Sequence, residues 1–125
     1  MSVVLDSDIV IEILRERNPP VLAAWTDLII SSRPILCTPI VVAEVWAGAR
    51  PKEHRQIDSF LGQIICLESD EETGKIAGDL LSQYARSHNM EVPDAMIAAA
   101  AIQHRAALWT RNRKHYPMPQ ITFYS

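Results

Sequence analysis

The sequence predicts an α/β fold, in which a short parallel sheet of four to five strands has helices on both of its faces. Short apolar runs alternate along the chain with longer segments whose apolar residues recur at helical spacing. This is the pattern of strands that are buried on both faces and joined by helices. The 125 residues, of which 48% are hydrophobic, suit one domain, 1–125, with its own core.

Strands are predicted where an apolar run is short and ends at a polar or turn-forming residue. The predicted strands are Val3–Leu5, Ile35–Thr38, Ile64–Leu67, Ala107–Thr110 and Ile121–Phe123. In parallel sheets of this kind, ligands bind beyond the carboxyl ends of the strands. We therefore expect the functional side chains directly after the strands.

Capping residues and prolines indicate the helix boundaries. Asp8 stands where an N-cap would open a helix that ends near Asn18. Ser69 followed by Glu72 is a capping-box signature for a long helix that reaches about residue 87, and Asn89 suits its left-handed end. The other helices are predicted at residues 20–32, 39–49, 53–63 and 93–104, the last of which is rich in alanine and is expected to pack tightly between other elements.

Composition excludes some classes of protein. The net charge of −3 argues against broad electrostatic adhesion to nucleic acid. No apolar run reaches the roughly 18 residues of a membrane span, and the first residues lack the basic region of a secretory signal. Cys37 and Cys66 lie in apolar runs without metal-ligand spacing, so we expect reduced core cysteines of a cytoplasmic protein; a disulfide or metal pair is the alternative.

Three acidic residues occupy positions that sheet geometry would bring together. Asp6 directly follows the first strand, Glu44 lies on an otherwise apolar helix, and Asp94 stands in the first turn of the alanine-rich helix. Helix capping is an alternative explanation for Asp6 and Asp94. Glu44 has no cation three or four residues away, and an unpaired carboxylate in apolar surroundings costs roughly several kcal/mol. A cation from elsewhere is therefore expected beside Glu44.

Three converging carboxylates would repel one another unless a metal ion lay between them. Ligands that are all oxygen select hard cations, so Mg²⁺ or Mn²⁺ is expected rather than zinc. A magnesium ion that is held by carboxylates and keeps open water positions suits phosphoryl chemistry. The four histidines lack metal-ligand spacing and are interpreted as surface or substrate-contacting residues.

Four segments resemble the motifs of PIN-domain nucleases, and they occur in the same order over essentially the whole chain. These segments are Leu5–Ile11, Thr38–Gly48, Val92–Ala101 and Trp109–Tyr116. The last of them is similar to the closing Thr-Arg-Asn-x-x-His-Phe element of VapC-like toxins. The resemblance implies a PIN-like three-layer α/β/α fold and a Mg²⁺-dependent endoribonuclease, with Mn²⁺ as an alternative metal, in which metal-activated water attacks the RNA phosphate.

The resemblance also implies roles for individual residues. The catalytic and metal-binding acids would be Asp6, Glu44 and Asp94. The supporting residues would be Ser7, Asp8, Thr110 and Asn112, although a helix cap is the other interpretation of Asp8. The residues that contact RNA would be Arg111, Arg113, Lys114 and His115. Many family members carry a fourth acid where this chain has Asn112, which argues against a second tight metal site.

Two partners besides RNA are implied by the resemblance. One is a second copy of the chain in a homodimer, and the other is a small cognate antitoxin protein. The antitoxin would lay an apolar segment near Trp25 and Trp46 and reach into the acidic pocket with a basic side chain. A tryptophan at helical spacing is, however, more often a core residue.

Two other functions compete with this interpretation. The segment Asp6–Val10 also fits the opening motif of haloacid-dehalogenase-like phosphatases, in which Asp6 would be the nucleophile and Asp8 a general acid. That interpretation leaves Glu44 unexplained. The second alternative is a non-catalytic PIN-like module that only binds RNA or an antitoxin, and the missing fourth acid favours it.

Overall fold

The computed structural model describes all residues, 1–125, and confirms the α/β class. Four parallel strands form one sheet in the order β3-β2-β1-β4. The strands are β1 (Val3–Leu5), β2 (Ile35–Cys37), β3 (Ile65–Cys66) and β4 (Ala107–Trp109). All three residues of β1 are fully buried. Since successive side chains of a strand point to opposite faces, the sheet is covered on both sides at its centre.

Six α-helices surround the sheet. They are α1 (Ser7–Arg15), α2 (Pro19–Ile30), α3 (Pro39–Ala47), α4 (His54–Leu61), α5 (Glu71–His88) and α6 (Val92–Gln103). Helix α6 packs against α5 and also contacts β1, β4 and α3, while α1 contacts α2, α3 and α4. The predicted helices are all present, with ends that differ by a few residues.

The predicted cap of the first helix is wrong. The N-cap of α1 is Asp6, whose backbone is extended and whose side chain accepts a hydrogen bond from the Ser7 amide. Asp8 lies in the first turn of the helix instead. The helix begins two residues earlier than Asp8 indicated because β1 already ends at Leu5, so Asp6 is the first residue free to cap.

The capping box of α5 is also shifted by one residue from the predicted pair. Asp70 is the N-cap, and its carboxylate accepts hydrogen bonds from the Thr73 amide at 2.9 Å and the Thr73 hydroxyl at 2.8 Å. Gln103 on α6 donates a further bond to Asp70 at 3.3 Å. This tertiary contact favours Asp70 over Ser69 as the cap. The left-handed end at Asn89 is confirmed, with a φ of 54°.

The predicted strand at Ile121–Phe123 is reduced to a single bridge. Leu108 of β4 donates to the Thr122 carbonyl at 2.8 Å and accepts from the Tyr124 amide at 2.9 Å. No other residue of the segment pairs with β4, so the sheet has four strands.

The two cysteines lie in different environments. Cys37 is buried and free, as expected. The expectation for Cys66 is wrong, because this residue is exposed. Its strand, β3, forms one edge of the sheet, where no further strand covers it. None of the helices combines the length and the apolar character that crossing a membrane requires.

The alanine-rich helix α6 leaves no room for larger side chains at its buried positions. Ala99 has no exposed surface. We predict that Ala99→Leu lowers the free energy of unfolding by about 1–3 kcal/mol, because the added methylene groups displace packed neighbours. Denaturant unfolding measures this change. The same substitution at the exposed Ala23 of α2 is the control and should be nearly neutral; equal effects at both sites would contradict tight packing of α6.

Candidate active site at the carboxyl edge of the sheet

Asp6 lies at the centre of the candidate site, directly after the middle strand. Its side chain is buried, and all its hydrogen bonds come from within the chain. Oδ1 accepts from the Ser7 amide at 2.7 Å. Oδ2 accepts from the hydroxyl of Thr110 at 2.8 Å and from the hydroxyl of Tyr116 at 2.9 Å. Two hydroxyl groups therefore hold one carboxylate oxygen in a set orientation.

The register of β1 and β4 brings Asp6 and Thr110 together. Leu5 pairs with Trp109 in the parallel ladder, and the Asp6 amide donates to the Trp109 carbonyl at 3.0 Å. Asp6 directly follows β1 and Thr110 directly follows β4, so the two residues are neighbours. This register brings Thr110, which was predicted as a supporting residue, beside Asp6.

Asp8 faces the loop after β4 from the first turn of α1. Its Oδ2 accepts from the Arg111 amide at 2.9 Å and from the Asn112 side-chain amide at 3.4 Å. Its Oδ1 is buried and has no hydrogen-bond partner. Burial first, and then the charge of Asp6, raise the pKa of Asp8 from 3.8 to about 6. A buried oxygen that has no hydrogen-bond partner and lies near the negative charge of Asp6 is a favourable position for a cation or a water molecule.

Glu44 reaches the same region from α3. The expectation that Glu44 lies in apolar surroundings is wrong, because the residue is exposed. Even so, partial burial raises its pKa, and the charges of Asp6 and Asp94 act in the same direction, while the nearby Ser7 hydroxyl opposes them. Glu44 is thus a solvent-accessible carboxylate within electrostatic reach of the other acids.

Asp94 enters the site from the first turn of α6. Its Oδ2 accepts from the Glu91 amide at 3.2 Å, so the alternative interpretation of a capping residue is partly correct. Nδ1 of His115 lies 3.9 Å from the same oxygen. Burial is the main cause that raises the pKa of Asp94, and Asp6 adds to it, whereas the Glu91 amide and His115 lower it.

Asp6, Asp8, Glu44 and Asp94 together form the acidic cluster. Repulsion among like charges reaches across it, since Asp6 contributes to the raised pKa of each of the other three. No group of three or more His, Cys, Asp or Glu side chains is arranged so that it alone could hold a metal ion. The acids are thus gathered electrostatically but do not form a preassembled ligand shell.

The acidic cluster nevertheless fits a hard divalent cation. All of its donors are carboxylate oxygens, and the unpartnered Oδ1 of Asp8 lies among them. Mg²⁺ keeps several of its waters and binds through one or two carboxylates, so a closed set of three protein ligands is not needed. Cysteine and histidine ligands of the type that zinc prefers are not part of the cluster.

The side chains of the predicted RNA-contacting residues differ in whether they already contact other residues of the chain. Arg111 forms an ion pair with Glu12 at 3.2 Å. Arg113 folds back onto the C-terminal segment, with its guanidinium 4.9 Å from the ring centroid of Phe123. Lys114 is exposed and His115 lies beside Asp94. Contact with RNA stays a prediction for all four.

Tyr116 was not identified as a site residue from the sequence. Its hydroxyl donates to Asp6. Burial first, then the charge of Asp6 and this hydrogen bond, strongly raise the pKa of Tyr116. The only signal in the sequence was a tyrosine at the position where the resembled motif has phenylalanine. A hydroxyl added to a core ring needs a partner, and that requirement would have indicated a nearby acceptor.

A groove lies next to Glu44 between α1, α3 and α4. Its volume is about 320 Å³, and its lining combines apolar side chains such as Leu14 and Val45 with Glu44 and Arg15. Neither predicted tryptophan lines it. Trp25 packs on Phe60 with ring centroids 5.4 Å apart, and the exposed Trp46 stacks on His54 at 3.8 Å.

The acidic cluster thus lies beyond the carboxyl ends of the strands of a short parallel sheet, where α/β folds bind their ligands. The chain belongs to the PIN domain family, whose model matches residues 3–120. The resemblance found in the sequence is therefore confirmed.

Curated relatives are similar along nearly the whole chain. Ribonuclease VapC10 of Mycobacterium tuberculosis is 33% identical over 120 residues, which are 93% of this chain and 86% of the relative. Ribonuclease VapC19 of the same organism is 30% identical over 115 residues, 91% of each chain.

Solved structures are similar in fold. VapBC2 from Rickettsia felis, bound to a DNA fragment from its promoter, matches with a TM-score of 0.82 at 22% identity over 99% of this chain and 98% of that one. FitAcB from Neisseria gonorrhoeae matches with a TM-score of 0.74 at 26% identity, over 98% of this chain and 96% of that one. These likenesses confirm the PIN-like α/β fold.

Removing the Tyr116 hydroxyl should destabilise the protein. We predict that Tyr116→Phe lowers the free energy of unfolding by about 1.5–3 kcal/mol, the usual contribution of a hydrogen bond to a charged group. Denaturant unfolding of the variant measures the loss. Tyr84→Phe is the matched control, because the Tyr84 ring contacts His88 and its hydroxyl makes no hydrogen bond within the chain. Equal stabilities of the two variants would contradict a role for the Asp6 contact.

Asp8→Asn should stabilise the metal-free protein at neutral pH. Since the pKa of Asp8 is raised to about 6, the folded protein binds this proton more tightly than the unfolded chain. Stability from this group is therefore lost as the pH rises from about 4 to about 6. The asparagine avoids that loss, and because solvent screens part of the charge we expect a Tm only about 2–4 °C higher.

Melting curves in EDTA across this pH range test the prediction for Asp8. The two proteins should melt together below the lower end of the range and diverge above it. A constant difference at every pH would mean that packing, and not charge, separates them. Asp27→Asn on the exposed face of α2 is the control and should show no such trend.

Proposed function

We propose that the protein is a Mg²⁺-dependent endoribonuclease, active also with Mn²⁺, that acts as the toxin of a toxin–antitoxin pair. The observation that carries the proposal is that Asp6, Glu44 and Asp94 approach one another from three separate elements, so that the charge of Asp6 helps to raise the pKa of both Glu44 and Asp94. A fold gains no stability from repelling carboxylates, so their convergence indicates a site for a cation. The curated relatives named above are ribonucleases, which supports RNA as the substrate.

Asp6, Glu44 and Asp94 are the residues that would hold the metal. When bound, Mg²⁺ supplies an activated water and charge stabilisation at the phosphate. Thr110 and Tyr116 orient Asp6 in advance through its Oδ2. Glu44 is accessible to solvent and so leaves the site open to a phosphodiester. His115 lies next to Asp94 and in the proposed enzyme would contact the same phosphate.

Asp8 and Asn112 occupy the side of the cluster next to the β4 loop. Their side chains are joined by a hydrogen bond of 3.4 Å. Asp8 therefore supplies a negative charge next to Asn112, the position at which many family members carry an acid. In the proposed enzyme this pair supports the metal-binding acids, either directly or through water, and is not a second metal site.

Binding of RNA is assigned to the basic segment Arg111–His115. Its residues lie in the turn beyond β4, directly beside the acidic cluster. Lys114 is free to contact phosphate, whereas Arg111 would exchange its partner Glu12 for the backbone of the RNA. Because the chain is acidic overall, we expect weak adhesion to RNA away from this segment.

The phosphatase alternative is not supported by the geometry of Asp6. A nucleophilic aspartate needs a carboxylate oxygen free to attack phosphorus. Oδ2 of Asp6 already accepts from two hydroxyls, and Oδ1 accepts from the Ser7 amide. These bonds fix the carboxylate and leave a lone pair of Oδ1 for a metal ion, whereas the phosphatase alternative gives no role to Glu44 and Asp94.

An antitoxin protein and a second copy of this chain are the proposed protein partners. Solved structures of similar fold include a toxin–antitoxin complex from Klebsiella pneumoniae. The groove beside Glu44 combines apolar side chains with charged ones of both signs, among them Glu44 and Arg15. An apolar antitoxin segment with one basic side chain would match it, and its binding would cover the site. Homodimer formation and a cytoplasmic location complete the proposal.

The decisive prediction is that Asp94→Asn abolishes RNA cleavage. The change removes one ligand charge and keeps the size of the side chain, so metal binding and water activation should both weaken. A fall in rate of about 10²-fold or more is expected. Purified protein is incubated with total RNA and Mg²⁺, Mn²⁺ or EDTA, and the cut sites are mapped.

Asp79→Asn on the exposed face of α5 is the matched control and should cleave at the normal rate. Cleavage by the wild-type chain in EDTA would contradict the metal requirement. Cleavage by the Asp94→Asn variant at the normal rate would contradict the assignment of that residue. RNA binding without cleavage under every condition would indicate the non-catalytic module.

A further inference from the structure

The two cysteines, which the proposed function does not use, are neighbours across the sheet. Cys37 ends β2, Cys66 ends β3, and the two residues are register partners in the parallel ladder. Paired residues on adjacent strands point to the same face, and the strands lie about 4.8 Å apart. Both thiols are free. Residues 29 positions apart in the sequence thus form a dithiol pair that periodicity alone does not reveal.

The strand spacing of this pair is compatible with a disulfide. Bridged cysteines have Cα atoms about 4.4–6.8 Å apart, and neighbouring strands fall within that range. Burial first, and then the neighbouring Cys66 thiol, raise the pKa of the Cys37 thiol to about 12. The Cys66 thiol itself donates to the Leu67 carbonyl at 3.8 Å. A backbone hydrogen bond also joins the two strands here, since the Leu67 amide donates to the Cys37 carbonyl at 2.9 Å.

The two thiols differ in access to solvent. Cys66 is exposed on the edge strand, whereas Cys37 has no exposed surface. An oxidant in solution therefore reaches only Cys66. Cys37 is protected from direct modification and can react only with the sulfur beside it. An exposed attacking thiol and a buried resolving thiol are the two parts of a reversible redox site, in which the raised pKa of Cys37 makes the resolving step slow at neutral pH.

We propose that Cys37 and Cys66 form a reversible modification site, which a hydroperoxide or a small disulfide such as oxidised glutathione converts into a cross-strand disulfide. With hydrogen peroxide, the Cys66 sulfur attacks one oxygen, the O–O bond breaks and water leaves, giving a sulfenic acid. The Cys37 sulfur then displaces the sulfenic oxygen as a second water. Two electrons pass from the thiols to the peroxide, and a dithiol reductant reverses the change.

The disulfide would link the edge strand β3 to β2, the neighbour of β1 in the sheet. Strand β3 contributes only two residues to the sheet, so few backbone bonds hold it. Strand β2 leads through Thr38 directly into α3, which carries Glu44. Linking the strands constrains the unfolded chain more than the folded one. We expect the oxidised protein to melt at a higher temperature than the reduced protein.

The test uses the full chain in glutathione buffers of graded oxidation state, followed by alkylation, peptide mapping and intact mass. The expected product is a monomer that has lost two hydrogen atoms, with the peptides of Cys37 and Cys66 linked and both thiols closed to alkylation. Its Tm should exceed that of the reduced protein, and dithiothreitol should restore the original value.

Cys66→Ser, a change at an exposed position, is the matched variant. It should keep its fold, leave Cys37 reduced and show no rise in Tm under oxidation. In Cys37→Ala, Cys66 should instead accumulate as a glutathione adduct. The proposal is overturned if the wild-type protein forms only that adduct or a covalent dimer through Cys66 while Cys37 stays reduced. RNA cleavage is not a readout of this test, so its result is independent of the proposed nuclease.

Discussion

Repulsion among carboxylates at the carboxyl edge of the sheet is the constraint around which the site is organised. Asp6 follows the central strand, and its charge reaches Asp8, Glu44 and Asp94 on three different helices. Such an arrangement opposes folding unless protons or a cation neutralise it. The surrounding fold must therefore supply the stability that the acidic cluster removes.

The fold supplies that stability through β1 and α6. Strand β1 is buried along its whole length, and its register with β4 places Thr110 beside Asp6. Helix α6 packs its alanines against the sheet and carries Asp94 at its exposed start. The rigid elements thus hold the charged groups at their ends. Binding of a cation would relieve the repulsion among these carboxylates, and that relief would contribute to the affinity for the cation.

Prediction from the sequence succeeded where a residue acts through its immediate neighbours in the chain. Apolar runs located the strands, and Asn89 marked the end of α5 because its side chain tolerates a left-handed backbone. Prediction failed where a distant residue decides the outcome. Gln103 selects Asp70 over Ser69 as a cap, and the edge position of β3 exposes Cys66. Glu44 seemed isolated among apolar residues, yet a helix facing a cleft leaves it hydrated.

Residue types and their order were enough to predict the α/β class, the four strands of the sheet and membership of the PIN domain family. They also led to the expectation, which stays a prediction, that Asp6, Glu44 and Asp94 hold a metal ion. Only the tertiary structure decided the hydroxyl contacts to Asp6, the unpartnered oxygen of Asp8 and the pairing of the two cysteines. Those features depend on strand register and on which side chains meet across the fold. Distances through space are not encoded in local spacing, and for that reason they became visible only in the folded chain.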